Sequence, residues 1–263
     1  MSRIAETFAA LRAQRETGLI AYITAGDPDL TRTGEILHAL DANGADLIEV
    51  GVPFSDPVAD GPVIQRASER ALRSRTTLTG TLDLIRRTRG SLAAPLVLFT
   101  YANPVLRIGD TAFARAAADA GVDGVLVLDL PVEEADAFRA TLVDAHLDPI
   151  FLLSPTTTEA RIEASSRLGR GFLYVISRLG VTGARDHVAT DAESLVTRIR
   201  RHTDLPLALG FGISRPEHVA EVSRWADAAV VGSALVNVIA EHGGAPDVAV
   251  HAGEYVRWLK GRP

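Results

Sequence analysis

The chain has 263 residues, of which 47% are hydrophobic and 23% charged, a balance typical of globular proteins with a substantial core. Its formal net charge of −6 gives no electrostatic basis for binding nucleic acid or an anionic membrane, and the lack of cysteine excludes disulfides, thiolate nucleophiles and iron–sulfur clusters. The sequence contains one lysine, Lys260, so a Schiff-base aldolase, a pyridoxal enzyme or a Walker-type nucleotide site is not expected.

Apolar runs of strand length alternate along the chain with segments of helical period. Residues 1–14 have the pattern of an amphipathic helix, and the first apolar run follows at residues 18–26. Further runs predict strands at residues 47–52, 95–101, 125–130, 149–155, 171–177, 205–212 and 228–233. The intervening segments predict helices at residues 30–43, 63–73, 78–89, 110–120, 131–145, from 156 onward and 192–202. Residues 102–104 predict a turn.

Eight strand signals, each followed by a helical one, predict an α/β fold. We expect a (β/α)8 TIM barrel with an extra N-terminal helix, in which residues 1–263 form a single domain. The strands are continuous apolar runs, as expected when both faces of a parallel sheet are buried. A doubly wound open sheet is the alternative. In a barrel the functional groups lie at the carboxyl ends of the strands.

Residues 46–66 carry two acids in unusual positions. Glu49 interrupts the apolar run of the second strand, and burying a carboxyl group without a partner costs several kcal/mol. Asp60 follows in the Pro- and Asp-rich loop after that strand. A bonded structural acid and a loop cap are the alternative explanations. Two carboxyl groups facing one pocket would suit proton transfer at two positions of a substrate.

Three glycine-bearing turns follow the last three predicted strands, at residues 180–183, 210–214 and 231–234. Glycine lets backbone N–H groups approach an anion closely, and a helix N-terminus adds a favourable dipole. The alternative is that each glycine makes only a tight turn. Because the three turns fall at adjacent strand ends, they predict a phosphate site that needs no lysine.

Tyr174 and Asp129 each have two explanations. Tyr174 lies in the sixth strand and could direct its hydroxyl into the pocket or pack in the core, whereas Asp129 could serve as a cap or face a partner. No metal is expected, because the histidines are scattered and no H-E-x-x-H spacing occurs. No signal-peptide pattern or bilayer-length apolar run is found, so we expect a cytoplasmic protein that does not bind a membrane.

The chain resembles the tryptophan synthase alpha chain family along essentially its whole length. The motifs that carry the resemblance are residues 46–65, 101–104, 129–131, 177–183, 210–214 and 231–233, and the first of these is highly specific. The resemblance implies a retro-aldol cleavage of indole-3-glycerol phosphate to indole and glyceraldehyde 3-phosphate in L-tryptophan biosynthesis. It also implies an alpha2beta2 heterotetramer in which indole passes through a tunnel to the beta chain. This chain would hold no cofactor, and pyridoxal phosphate would belong to the beta chain alone.

The resemblance also implies a role for each matching residue. Glu49 would be the general acid–base, and Asp60 would hold the indole N–H and stabilise the cationic intermediate. The residues implied around the substrate are Tyr22, Phe99, Leu126, Tyr174, Thr182 and Phe211. The phosphate would be bound by Gly183, Gly212, Gly232 and Ser233. The residues implied at the beta chain are Asp56, Asn103, Pro104, Asp129 and Pro131. Residues 178–187 would close over the substrate, with Thr182 meeting Asp60.

Other functions remain open at this point. A stand-alone indole-3-glycerol phosphate lyase would keep the same acids and phosphate turns, and a different phosphate-binding barrel would not explain residues 53–61. A catalytically idle binding subunit would have no need of Glu49 and Asp60. Leu179 places a bulky apolar side chain where the family often has a smaller or polar one, which affects the expected closing of residues 178–187.

Overall fold

A computed structural model describes residues 1–176, 190–210 and 212–261 of the chain. Within these ranges eight parallel strands pair in chain order and close into a barrel. The strands are β1 (Gly18–Thr24), β2 (Leu47–Gly51), β3 (Leu96–Thr100), β4 (Gly124–Val127), β5 (Asp148–Leu153), β6 (Leu173–Ile176), β7 (Leu207–Gly210) and β8 (Ala228–Val231). The predicted TIM barrel is therefore confirmed.

The first helix precedes the strands, and the other helices follow strands and form the outer layer of the barrel. They are α1 (Arg3–Gln14), α2 (Leu30–Ala42), α3 (Pro62–Arg73), α4 (Leu78–Thr88), α5 (Ala102–Ile108), α6 (Asp110–Ala120), α7 (Asp136–Asp144), α8 (Glu159–Leu168), α9 (Thr190–Arg200), α10 (Pro216–Val222), α11 (Ser233–His242) and α12 (Val248–Leu259). Short 3-10 turns occur at Arg89–Ser91 and Val132–Glu134. None of the helices in the described ranges is both long enough and apolar enough to cross a membrane.

The predicted turn at residues 102–104 is wrong, because these residues begin α5. The Ala102 N–H donates a hydrogen bond of 2.7 Å to Asp129 Oδ1, which satisfies one of the free donors of the first helical turn. Pro104 is tolerated there because it still lies within that first turn. The helix predicted at residues 131–145 is shorter than expected, since a 3-10 turn occupies its beginning and α7 starts at Asp136.

The extra N-terminal helix is confirmed, and it closes the amino end of the barrel. The Ser2 hydroxyl caps α1 by accepting a hydrogen bond from the Ala5 N–H. The apolar face of α1 consists of Ile4, Phe8 and Leu11, which cluster with the inward side chains of the strands. This face therefore fills the amino end of the barrel and leaves the carboxyl end for a site.

The alternation of side chains along β2 turns Glu49 into the barrel. Leu47 belongs to the inner cluster that includes α1, whereas Ile48 and Val50 belong to the outer cluster between the strands and the helices. Successive strand residues point to opposite faces, so Glu49 shares the inward face with Leu47. Lys260 lies at the other end of the barrel, where its ammonium group is 2.7 Å from Asp46 Oδ2 just before β2.

Candidate active site

Glu49 is a carboxylic acid with no partner inside the barrel. Its side chain is fully buried, and neither carboxyl oxygen forms a hydrogen bond with any residue that the structure describes. Burial disfavours the charged form and raises the pKa of Glu49 to about 8. The group is therefore mainly protonated at neutral pH. A buried, unsatisfied polar group destabilises the fold, which indicates a functional reason for its presence.

Aromatic side chains surround Glu49. Tyr22 on β1 is the direct register partner of Glu49, and its ring contacts Phe99 on β3 edge to face, with 5.2 Å between centroids. The Phe99 ring lies 6.4 Å from that of Tyr174 on β6, and Leu126 on β4 is the register partner of Phe99. The structure thus brings four of the predicted substrate residues together around the acid. Phe211 and Thr182 lie outside the described residues.

The two tyrosine hydroxyls occupy space that glycines leave open. A Cβ atom built on Gly51 would lie 2.2 Å from the Tyr22 hydroxyl, and one built on Gly210 would lie 2.6 Å from the Tyr174 hydroxyl. Burial, together with the nearby acids, raises the pKa of both phenols, so they remain neutral. The shape of the pocket therefore depends on two small residues. The sequence analysis placed Gly210 in a predicted phosphate turn and gave Gly51 no role in the site.

Asp60 lies in the loop between β2 and α3, in surroundings that differ from those of Glu49. The Tyr101 hydroxyl donates a hydrogen bond of 3.0 Å to Asp60 Oδ2, and the Gln65 amide donates one of 2.8 Å to the Asp60 carbonyl. Burial raises the pKa of Asp60 to about 6, and the Tyr101 hydrogen bond opposes that rise. Asp60 is mainly ionised at pH 7, whereas Glu49 is mainly protonated. The two acids are thus suited to different roles.

The described parts of the predicted phosphate turns lie at the carboxyl ends of β7 and β8. Gly212 has a φ of +48°, a left-handed conformation that favours glycine. Gly232 precedes α11, and Ser233 is the first of the ten residues of this helix. The backbone N–H groups that have no partner within the first helical turn therefore start at Ser233. Gly232 is adjacent to Tyr22, since a Cβ built on it would lie 3.8 Å from Tyr22 Cβ. Gly183 lies outside the described residues.

The residues predicted to face a partner lie on three neighbouring strand ends. Asp56 is exposed on the loop after β2, Asn103 and Pro104 lie in α5, and Pro131 is exposed after β4. Asp129 also has a structural use, because its carboxylate accepts the Ala102 N–H at the start of α5. Two large apolar side chains that the sequence analysis did not single out are exposed nearby: Val58, on the loop after β2, is 85% exposed, and Leu106, in α5, is 67% exposed.

A cavity of about 330 Å³ lies away from the two acids. It is lined by β4 and β5 on one side and by α7 and α8 on the other, with Asp129 and Pro131 among its lining residues. Neither Glu49 nor Asp60 lines it. In the described ranges, no group of three or more His, Cys, Asp or Glu side chains is arranged to hold a metal ion.

The sequence analysis missed Tyr101 as a site residue, although it quoted residues 101–104 as a motif. The available signal was its position directly after β3, at the end of the barrel where functional groups lie. Its partner Asp60 is 41 residues away along the chain, so no local pattern indicates their contact.

The fold and the candidate site define a TIM-barrel enzyme with two differently protonated acids at the carboxyl ends of its strands. A sequence profile described as Tryptophan synthase alpha chain matches residues 8–257. The tryptophan synthase alpha chain of Solibacter usitatus is 48% identical over 260 residues, which cover 99% of this chain and 97% of that protein. The chain therefore belongs to the tryptophan synthase alpha chain family, and it is a lyase of tryptophan biosynthesis.

Solved structures agree with this membership. The crystal structure of tryptophan synthase subunit alpha from Legionella pneumophila has a TM-score of 0.91 at 38% identity, covering 99% of this chain and 98% of that chain. A chain from the structure of the tryptophan synthase α2β2 complex of Pyrococcus furiosus has a TM-score of 0.88 at 39% identity, covering 93% of this chain and 98% of that chain. That structure concerns the mutual activation of the complex.

Proposed function

We propose that this chain is a tryptophan synthase alpha subunit that cleaves indole-3-glycerol phosphate to indole and glyceraldehyde 3-phosphate. The observation that carries the proposal is Glu49, a fully buried carboxyl group with no hydrogen-bond partner in the described ranges. Together with the ionised Asp60 and the aromatic residues around the pocket, it supplies the groups that a retro-aldol cleavage needs.

Glu49 acts as the general acid and then as the general base. Because its pKa is about 8, it holds a proton at neutral pH and donates it to the indole ring carbon that carries the glycerol phosphate chain. The carboxylate left behind accepts the proton of the adjacent chain hydroxyl. The carbon–carbon bond then breaks, its electron pair returns to the indole ring, and the hydroxyl carbon becomes the aldehyde of glyceraldehyde 3-phosphate. Glu49 ends the cycle protonated, as it began.

Asp60 stabilises the charge that forms between these two proton transfers. Protonation of the ring carbon places a positive charge on the indole nitrogen, so a carboxylate at the N–H lowers the energy of that intermediate. The pKa of Asp60, about 6, keeps it ionised at pH 7. Thr182 is proposed to meet Asp60 when residues 178–187 close over the substrate.

Neutral groups position the two ends of the substrate. Tyr22, Phe99, Leu126, Tyr174 and Phe211 are proposed to surround the indole ring, and the contacts among the described members of this set support a single apolar wall. The phosphate is proposed to bind at Gly183, Gly212, Gly232 and Ser233. The N-terminal N–H groups of α11 favour an anion, which supports this assignment.

The chain is proposed to assemble with a beta chain as an α2β2 complex, as described for Pyrococcus furiosus. The proposed interface includes Asp56, Asn103, Pro104, Asp129 and Pro131. The exposed Val58 on the loop after β2 and the exposed Leu106 in α5 support an interface there. This subunit needs no cofactor in the proposed reaction, and we assign pyridoxal phosphate to the beta chain. We further propose that residues 1–263 form one domain and that the protein is cytoplasmic.

The test is indole release from indole-3-glycerol phosphate by the purified chain, first alone and then with a beta chain. A slow rate that rises strongly when the beta chain is added would support the proposed subunit. A fast rate that does not respond would instead identify a stand-alone lyase. No release under either condition would refute the proposed activity.

A further inference from the structure

The Tyr101 hydroxyl forms two hydrogen bonds with the loop that carries Asp60. It accepts a bond of 3.1 Å from the Ala59 N–H and donates one of 3.0 Å to Asp60 Oδ2. A phenol has one proton to donate, and here that proton is directed to the carboxylate. One hydroxyl therefore holds both the backbone next to Asp60 and the Asp60 side chain itself.

Tyr101 is itself held firmly. Its side chain is 2% exposed, and its ring packs against Phe54 with 5.0 Å between centroids and 30° between ring planes. Its backbone connects the end of β3 to the first residue of α5, where Asp129 Oδ1 accepts the Ala102 N–H at 2.7 Å. The hydroxyl therefore has a fixed position, set by a strand on one side and a capped helix on the other.

The loop around Asp60 needs such support, because two of its neighbouring residues are exposed. Asp56 lies at the surface and Val58 is 85% exposed, whereas Asp60 is partly buried against the barrel. Within the loop, the Asp60 N–H bonds to the Pro57 carbonyl at 3.1 Å and Gln65 bonds to the Asp60 carbonyl at 2.8 Å. These two bonds hold the backbone of Asp60, but neither reaches its carboxylate.

We infer that Tyr101 is a positioning residue for Asp60, whose carboxylate it holds in the place from which it acts on the substrate. The inference rests on the proposed function, since it assigns Tyr101 a part in the same reaction. Fixing a group in its reacting geometry contributes to the rate even when the fixing residue does not touch the substrate.

The hydroxyl also affects the charge of Asp60. Within the described part of the chain, the titratable groups that interact with Asp60 are Tyr101 after β3, Tyr22 on β1 and Tyr174 on β6. Tyr22 and Tyr174 also interact with Glu49 on β2. Of these, Tyr101 donates a hydrogen bond to the Asp60 carboxylate and so favours its ionised form. Losing that bond should raise the pKa of Asp60 by about one pH unit.

The test is the variant Tyr101→Phe, measured in complex with a beta chain. We expect kcat for indole release to fall by about tenfold at neutral pH, while KM changes by less than about twofold, because the substrate contacts remain. The loss should be largest in acid, where a raised pKa leaves less of Asp60 ionised, and a smaller loss should remain at high pH because the carboxylate is no longer held in place. Unchanged kcat, or a rise in KM with kcat unchanged, would overturn the inference.

A double-mutant cycle separates positioning from a general structural effect. In an Asp60→Asn background the carboxylate is already gone, so adding Tyr101→Phe should lower kcat by less than about threefold. A further tenfold loss would show that Tyr101 acts independently of Asp60 and would overturn the inference.

If the Tyr101 variant proves unstable, Phe54→Leu provides a second test. It keeps the Tyr101 hydroxyl but loosens the packing of the Tyr101 ring, so it should raise the pKa of Asp60 by a smaller amount than Tyr101→Phe does.

Carbon-13 NMR of aspartate-labelled protein provides a readout that does not depend on turnover. The Asp60 carboxyl signal is assigned by its absence in Asp60→Asn, and its pKa should be higher in Tyr101→Phe than in the wild type. The matched control is Tyr255→Phe, which removes a hydroxyl that donates a hydrogen bond of 2.9 Å to the Ser214 carbonyl. This variant should leave the pKa of Asp60 unchanged.

These results distinguish the two proposals. An inactive wild type refutes the proposed reaction, and the NMR titration then decides alone whether Tyr101 holds the Asp60 carboxylate. An active wild type with an unchanged Tyr101→Phe variant overturns the inference and leaves the proposed reaction in place.

Discussion

Replacing Glu49 with glutamine tests both the reaction and the cost of burying this acid. Glutamine keeps the shape of the side chain but cannot donate and accept the catalytic proton. Glu49→Gln should therefore abolish indole release, while the protein still binds the phosphate group of the substrate. The same change should increase stability relative to the wild type as the pH rises above the ordinary pKa of the acid, because glutamine has no charged form for burial to disfavour. Loss of activity with a gain of stability is the pattern expected of a residue kept for function.

The size of the stability change follows from the two pKa values of Glu49. The ordinary value is 4.5, which applies to the unfolded chain, and burial raises it to about 8 in the folded protein. Between these values the folded protein binds a proton that the unfolded chain releases, so the stability of the wild type falls as the pH rises. Each pH unit costs about 1.4 kcal/mol, which amounts to about 3 kcal/mol at pH 7.

The assay is urea unfolding of the wild type and Glu49→Gln at a series of pH values. The variant should gain about 2 kcal/mol relative to the wild type between about pH 5.5 and about pH 7. The control is Glu35→Gln on the exposed face of α2, which should change the free energy of unfolding by less than about 0.5 kcal/mol at every pH. A stability difference that does not grow with pH would refute the buried, protonated state of Glu49, and wild-type turnover in the variant would refute its role as acid–base.

Three further predictions concern the rest of the pocket. Asp60→Asn should lower turnover by at least about tenfold, more than 1.4 kcal/mol of barrier, and a steady-state rate equal to that of the wild type would exclude Asp60 from the reaction. The pH profile of kcat/KM should be bell-shaped. Activity should fall in acid as Asp60 is protonated near its pKa of about 6, and it should fall in base as Glu49 ionises near its pKa of about 8. A profile that is flat across this range would contradict both assignments. Gly51→Ala should reduce activity by about tenfold or more, because the added Cβ would lie 2.2 Å from the Tyr22 hydroxyl and force the Tyr22 ring to move. The control is Gly90→Ala, whose added Cβ would have no described atom within 4 Å, and it should change neither turnover nor the free energy of unfolding.

Much of the fold could be predicted because its signals are local. Continuous apolar runs mark strands buried on both faces, and helical periods between them leave few arrangements other than a barrel. The start of α5 could not be predicted in this way. Residues 102–104 have the composition of a turn, and they form a helix because Asp129, from the end of another strand, accepts the Ala102 N–H.

The candidate site shows the same division. Glu49 could be singled out because a carboxylate inside an apolar run is conspicuous, and Asp60 because its loop forms a specific motif. The partners of these acids could not be found, because the barrel brings together residues from distant parts of the chain. Tyr101 reaches Asp60 across 41 residues, and Gly51 makes room for Tyr22 across neighbouring strands.

The sequence by itself determined the barrel, the family and the two acids, because periodicity, composition and motifs are properties of the chain alone. Tertiary structure alone decided the protonation of those acids. Glu49 and Asp60 have similar ordinary pKa values, yet complete burial without a described partner raises one to about 8, whereas the Tyr101 hydrogen bond helps to keep the other at about 6. The free energy of a charge depends on what surrounds it, and only the closed barrel defines those surroundings.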